Sequence, residues 1–172
     1  MLHYACGNEN VTLNIVQLLI DAAPESVRSV NRNGRMPLHL CMNQEMDEKT
    51  ALEILRLLVE KCPEAAQHAD NFRYLPLHLA CCNKYVTLNI VQLLIDAAPD
   101  SVRSVDEEGW MPLHHLCRNK ELDETTAIEI LRLLIEKCPE AVHHVTNIGS
   151  LPLHFACCNT HVTLKIVQLL ID

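Results

Sequence analysis

Two kinds of apolar stretch take turns along the chain. The longer is Thr12-Leu13-Asn14-Ile15-Val16-Gln17-Leu18-Leu19-Ile20, polar at 14 and 17 and apolar between. That spacing leaves an apolar stripe and predicts an amphipathic helix. Val11 to Ala23 recurs unchanged as Val86 to Ala98. The shorter stretch opens with Met36-Pro37-Leu38-His39, repeated as Leu75-Pro76-Leu77-His78, Met111-Pro112-Leu113-His114 and Leu151-Pro152-Leu153-His154, with a truncated Leu2-His3 at the start. Proline suits a first helical turn, where its missing N–H is not needed, so each phrase predicts the start of a short helix. The leucines at 2, 38, 77, 113 and 153 stand 36, 39, 36 and 40 residues apart. Periods of that size mean a solenoid of stacked supersecondary units.

Each unit divides into four pieces. After the short helix comes a polar link around Asn8, Asn43, Asn83, Asn119 or Asn159. The longer helix follows, with Thr12, Thr50, Thr87, Thr126 and Thr163 at its expected start, where a hydroxyl can cap free N–H groups. Glu53 and Glu129 follow Thr50 and Thr126 at the spacing of a capping box. Pro24, Pro63, Pro99 and Pro139 end the helix. A finger-like turn then leads to the next phrase. Gly34, Gly109 and Gly149 supply a positive φ there, and Arg73 stands at the same place, so its finger is expected to be strained or of another turn type. Leu18, Leu57, Leu93, Leu133 and Leu169 share one position of the longer helix and are expected to face the core.

The units alternate. Even copies carry a link three residues longer, so a helix quartet of about 75 residues looks duplicated. The first helix of the second copy is one residue short and must tighten, shorten or shift register, since a deletion turns a helix by about 100°. The expected units are 1–36, 37–75, 76–111, 112–151 and 152–172 of a single array. The chain enters in mid-repeat and leaves at Asp172 in mid-helix, so both terminal units are expected to be incomplete. Without polar caps, end-to-end self-association is expected.

A helix–loop–helix followed by a finger, with Pro-Leu-His opening the first helix, resembles the ankyrin repeat from Leu2 to Asp172. The resemblance implies an all-α solenoid of stacked helix-turn-helix units with short finger turns. It also implies that the repeated His bonds backbone between units, and that partners dock on the fingers and the first-helix face. The family usually has Thr before Pro-Leu-His, whose hydroxyl pairs with the imidazole. Met36, Leu75, Met111 and Leu151 replace it here, so that bond cannot form.

A net charge of −8 argues against nucleic acid and an anionic membrane surface, and favours a protein partner with a basic segment. Nine cysteines, most at equivalent repeat positions, read as small buried thiols of a reducing, intracellular compartment, cytoplasmic or nuclear, and not as disulfide partners. His-x-x-Cys pairs such as His78/Cys81 and His114/Cys117 would share a helix face, but a zinc site needs about four converging ligands. Repetition in every unit points to frame positions, so no metal or cofactor is assigned. Cys117 beside His114 and His115 is the nearest approach to a nucleophile, with no evident third group, and no catalytic residue is assigned. His68 and His143-His144 read as solvated.

The informative residues are those that differ between copies. After the finger glycine the copies read Arg35, Tyr74, Trp110 and Ser150, and at the tips stand Phe72, Glu107 and Glu108. Tyr and Trp are enriched at binding hot spots. These seven residues are the expected partner-binding set of a non-catalytic interaction module. The competing expectation is a structural spacer of a larger protein.

Overall fold

In the computed structural model, residues 1–42, 45–160 and 162–171 are described; Asn43 and Asp172 lie outside them. Among the described residues there are ten α-helices and no strand. The short helices are α1 (Leu2–Cys6), α3 (Pro37–Cys41), α5 (Pro76–Cys82), α7 (Pro112–Arg118) and α9 (Pro152–Cys157). The longer ones are α2 (Leu13–Ala22), α4 (Glu48–Lys61), α6 (Leu88–Ala97), α8 (Glu124–Lys137) and α10 (Leu164–Ile171). Short helices pack on short ones and long on long, α1-α3-α5-α7-α9 against α2-α4-α6-α8-α10, which makes a two-layer solenoid.

The repeated prolines sit at the first turn of α3, α5, α7 and α9. The second set acts differently from a simple stop. Ala23, Cys62, Ala98 and Cys138 precede those prolines with φ near −150° and ψ near 78°, outside the helical region that a following proline disfavours. Pro24, Pro63, Pro99 and Pro139 then start short 3-10 turns that lead into the fingers. The one-residue deficit of the second unit is absorbed by shortening: α3 has five residues where α5 and α7 have seven.

Two expectations about the long helices are corrected. Thr12 and Thr87 cap α2 and α6, accepting from Ile15 and Ile90 N–H at 3.4 Å. In the even units the caps are instead Asp47 and Asp123, which accept from Thr50 and Thr126 N–H at 3.0 Å. The longer even link lets the helix begin one turn earlier, so Thr50 and Thr126 lie inside it and no capping box starts there. The core register is also one residue later than expected. Leu58, Leu94, Leu134 and Leu170 are 4% exposed or less, whereas Leu18 is 68% exposed and Leu57, Leu93 and Leu169 are half-buried; in α8 Leu133 is buried as expected, beside Leu134. A step of one residue turns a helix by about 100°, so the two leucines of each doublet face different neighbours. Leu93 lines a surface groove with Leu52, Arg56 and Val59 of α4, and Leu94 enters the core.

Asparagines stitch successive links. Asn83 Nδ2 donates to Met42 O at 2.7 Å, Asn119 to Cys81 O and Asn83 O at 3.1 and 3.2 Å, and Asn159 to Cys117 O and Asn119 O at 3.3 and 2.9 Å. Six of the nine cysteines are buried free thiols, but Cys82, Cys157 and Cys158 are exposed.

Candidate functional site

Each finger is a tight backbone loop closed at its neck. Asp70 N–H donates to Tyr74 O at 2.9 Å, and Asp106 N–H to Trp110 O at 3.1 Å. The first residue also organises the loop through its side chain. Asp70 Oδ1 accepts from Phe72 and Tyr74 N–H at 2.9 Å, and Asp106 Oδ1 from Glu108 and Trp110 N–H at 3.0 and 2.8 Å. Asn31 does the same for Asn33 and Arg35. Short polar side chains at a turn's start favour this arrangement. The left-handed position is occupied by Gly34, Gly109 and Gly149, with φ between +74° and +77°, and by Arg73 at +63°. Arg73 therefore keeps the turn type and carries the strain.

Fingers are tied to one another by backbone. Asn71 N–H donates to Asn33 O and Asn147 N–H to Glu108 O, both at 2.9 Å. The bond past Arg73, Glu107 N–H to Phe72 O, is 3.3 Å. At Gly34 a Cβ would come within 2.9 Å of Asn71 N, so close finger approach also favours glycine. A left-handed non-glycine residue costs about 1–2 kcal/mol. Arg73→Gly should therefore raise stability by about 0.5–1 kcal/mol after the added unfolded-state entropy is set against it. A lower urea midpoint for that variant would contradict the strain assignment.

The repeated imidazoles join the first helices to the fingers. His39 Nε2 lies 3.0 Å from His68 O and 3.3 Å from Tyr74 O; His78 Nε2 lies 3.1 Å from Ser104 O, and His114 Nε2 3.2 Å from His144 O. Each reaches forward to the segment that closes its own unit. On the other side, Nδ1 of His78 and His114 accepts from Leu75 and Met111 N–H at 3.1 Å. A backbone N–H of the very residue that replaces the family's threonine thus takes over the lost hydroxyl's role. This pattern requires neutral rings protonated on Nε2. Burial is the main cause that drives all three down to about 4, and charge on His68, His115 and His144 adds to it. At the ends the frame differs from expectation: His3 is half-buried, bonding Arg35 O at 2.9 Å, and His154 is exposed, its Nδ1 accepting from Leu151 N–H at 2.8 Å. His68 and His144, expected to be solvated, are half-buried and donate from Nε2 to Gly34 O and Gly109 O at 2.9 and 3.1 Å, while His143 is exposed.

The seven expected partner-binding residues divide into two groups. Phe72, Glu107 and Glu108 are exposed at the finger tips. Arg35 is half-buried and committed to the buried Asp70 carboxylate at 2.8 Å. Tyr74 and Trp110 are half-buried against rings of the first helices, and Ser150 is half-buried too. Tyr74 lies 5.3 Å from His115, and Trp110 lies 5.0 Å from His115 and 4.3 Å from Phe155 between ring centroids. The Arg118 guanidinium covers Trp110 at 5.1 Å, so the cation–π slot is filled from within the chain. Burial, then the charges of Asp106 and Glu108, push the Tyr74 phenol up to about 12.

At the centre of this aromatic group stands His115, which the sequence brought in only as a neighbour of Cys117. Its Nε2 is 2.8 Å from Asp106 Oδ2, and its Nδ1 is 3.3 Å from Cys82 Sγ. Burial opposes its charge, but the bonds to Asp106 and Cys82 prevail and raise it to about 9. Burial likewise pushes the Asp106 carboxyl up, and the His115 and Trp110 contacts outweigh that and hold it low. The signal was in the repeat: Leu40, Leu79 and Phe155 occupy the position that His115 fills. Cys117, the expected nearest nucleophile, is buried, and burial pushes its thiol up to about 12. Among the described residues no three His, Cys, Asp or Glu side chains converge as a metal site, and no helix is long and apolar enough to cross a membrane.

Paired helix layers, a phase-locked Pro-Leu-His frame and hydrogen-bonded fingers define a helical repeat protein whose working surface is extended. A family sequence pattern described as ankyrin repeats in three copies matches residues 2–100 and again 77–172. The chain belongs to the ankyrin repeat family. No curated protein matches it.

Proposed function

We propose that the chain is a non-catalytic interaction module that holds a basic segment of another protein across its middle two fingers. Ankyrin repeats are generally protein–protein interaction modules. The observation that carries the finer reading is the surface at residues 72 and 107–108. Phe72 is 49% exposed on a finger whose backbone is held rigid, and two exposed carboxylates stand on the adjoining finger. A rigid aromatic costs little entropy to bind, and the carboxylates steer a positive partner. Tyr74 and Trp110 form the floor beneath, and Arg35 and Ser150 flank it. The thiol-rich composition suits a reducing compartment, cytoplasm or nucleus. Exposed Leu18, Leu164 and Ile171 in the terminal units give self-association a surface.

The spacer reading has one observation in its favour: Tyr74 and Trp110 already pack on neighbouring rings of the chain. The two readings part on variants that leave this packing alone. Proximity labelling in source cells supplies candidate partners, and calorimetry with purified candidates measures affinity. Phe72→Ala and the double reversal Glu107→Lys/Glu108→Lys should each weaken the docked partner by about 1–2 kcal/mol, and Trp110→Ala by at least about 2 kcal/mol. Unchanged affinity of the folded tip variants for every recovered partner would favour the spacer.

A further inference from the structure

Cys82, His115 and Asp106 form a chain of contacts that the repeat frame does not need. Cys82 ends α5 as an exposed thiol, one residue beyond the buried Cys81. Its sulfur meets His115 Nδ1 at 3.3 Å, and His115 Nε2 meets Asp106 Oδ2 at 2.8 Å. Asp106 is 1% exposed and fixed by two backbone N–H groups on its other oxygen, so it cannot turn away. The Tyr74 and Trp110 rings pack on the imidazole at 5.3 and 5.0 Å. A nucleophile, a base in contact with it and a third group orienting that base make up the arrangement that activates a thiol.

The surroundings decide what such a thiol can do. Cys82 and His115 open on a depression of about 490 Å³ lined also by Tyr74, Arg118, Lys120 and Glu121. Glu121 sits 3.7 Å from Lys84, which leaves Arg118 and Lys120 to favour an anionic reagent. The Asn119 amide, which also lines the depression, is engaged by the Cys81 and Asn83 carbonyls at 3.1 and 3.2 Å. That suits stoichiometric capture better than turnover.

We propose that Cys82 is a modification site, an activated thiol that exchanges with an anionic low-molecular-weight disulfide of the glutathione class. The Cys82 thiol proton passes to His115 Nδ1. The thiolate attacks one sulfur of the disulfide, whose S–S bond breaks as the new S–S bond forms. The departing thiolate takes the proton from His115. Cys82 is oxidised to the mixed disulfide, half of the reagent is reduced to thiol, and a second thiol reverses the reaction. A charged imidazole beside sulfur favours the reactive thiolate, and the raised protonation range of His115 is consistent with this.

The chain supplies its own controls. Cys157 and Cys158 are exposed cysteines outside this contact chain. Leucine stands at the His115 position in two other units, and Asn31 stands at the Asp106 position in the first finger. The folded 172-residue chain is treated with glutathione disulfide at pH 7, and site-resolved mass spectrometry follows each cysteine. Cys82 should react about threefold faster than Cys157 and Cys158, since the imidazole favours the thiolate while a stabilised thiolate is a weaker nucleophile. His115→Leu should bring it to their rate, and Asp106→Asn, which keeps the turn acceptor, should lower it in part. Equal rates at the three cysteines, or an unchanged rate in His115→Leu with melting temperature preserved, would overturn the activated thiol. Neutral hydroxyethyl disulfide should show a smaller advantage for Cys82; an equal one would overturn the anionic preference.

Discussion

Moving the protein from pH 7.5 to pH 5 will lower its urea midpoint sharply. His39, His78 and His114 are fully buried and titrate near 4 when folded, against about 6.5 when unfolded. A depressed folded value means that the unfolded chain binds the extra protons. The stabilising contribution is complete above about 6.5 and is lost as pH falls from there through about 4. By pH 5 each ring accounts for about 2 kcal/mol of lost stability. His115 acts with the opposite sign. Its folded value near 9 contributes stability that is complete below about 6.5 and lost as pH rises through 9, so it offsets part of the acid loss. Three rings against one leave a net fall. The measurement is a series of urea melts at fixed ionic strength, compared by midpoint because repeat arrays depart from two-state behaviour. A midpoint that does not move between pH 7.5 and 5 would remove the neutral-imidazole frame.

The second large effect is Leu94→Ala, with a loss of about 2–5 kcal/mol. Leu94 is 1% exposed in α6, which packs on both α4 and α8, so the cavity has little room to collapse. Leu93→Ala removes the same atoms from the neighbouring, groove-lining position and should cost about 1 kcal/mol, since the side chain is only half-buried. Chemical melts of the pair decide the register. Equal losses, or a larger one for Leu93, would return the helix to the orientation expected from sequence.

That pair also shows where sequence reasoning stops. Repetition located the helices because Pro-Leu-His and the second proline recur in phase, and backbone rules make prolines reliable markers. A Leu-Leu doublet offers two apolar residues about 100° apart, and the pattern alone does not say which one meets the core. The even-unit caps were missed because Thr50 and Thr126 align with true caps, while the longer link moved the helix start back to Asp47 and Asp123. The finger residues were legible as departures from the repeat. Their ring packing was not, because Tyr74, at the end of the second unit, meets His115 on α7 of the fourth. His115 was legible by the same departure rule and is the residue on which Cys82, Asp106, Tyr74 and Trp110 converge.

The direction of the imidazole bonds has a bearing on how the chain comes off the ribosome. Every frame histidine waits for a carbonyl 26 to 35 residues further on: Arg35 for His3, His68 and Tyr74 for His39, Ser104 for His78, His144 for His114. Each of these carbonyls lies in the histidine's own unit, so a unit's last segment completes its first helix, while His68, His144 and the link asparagines tie it back to the unit before. Synthesis from the N-terminus delivers those carbonyls in the order required, and each docking closes only a short loop. The growing edge carries one unsealed histidine until that segment emerges.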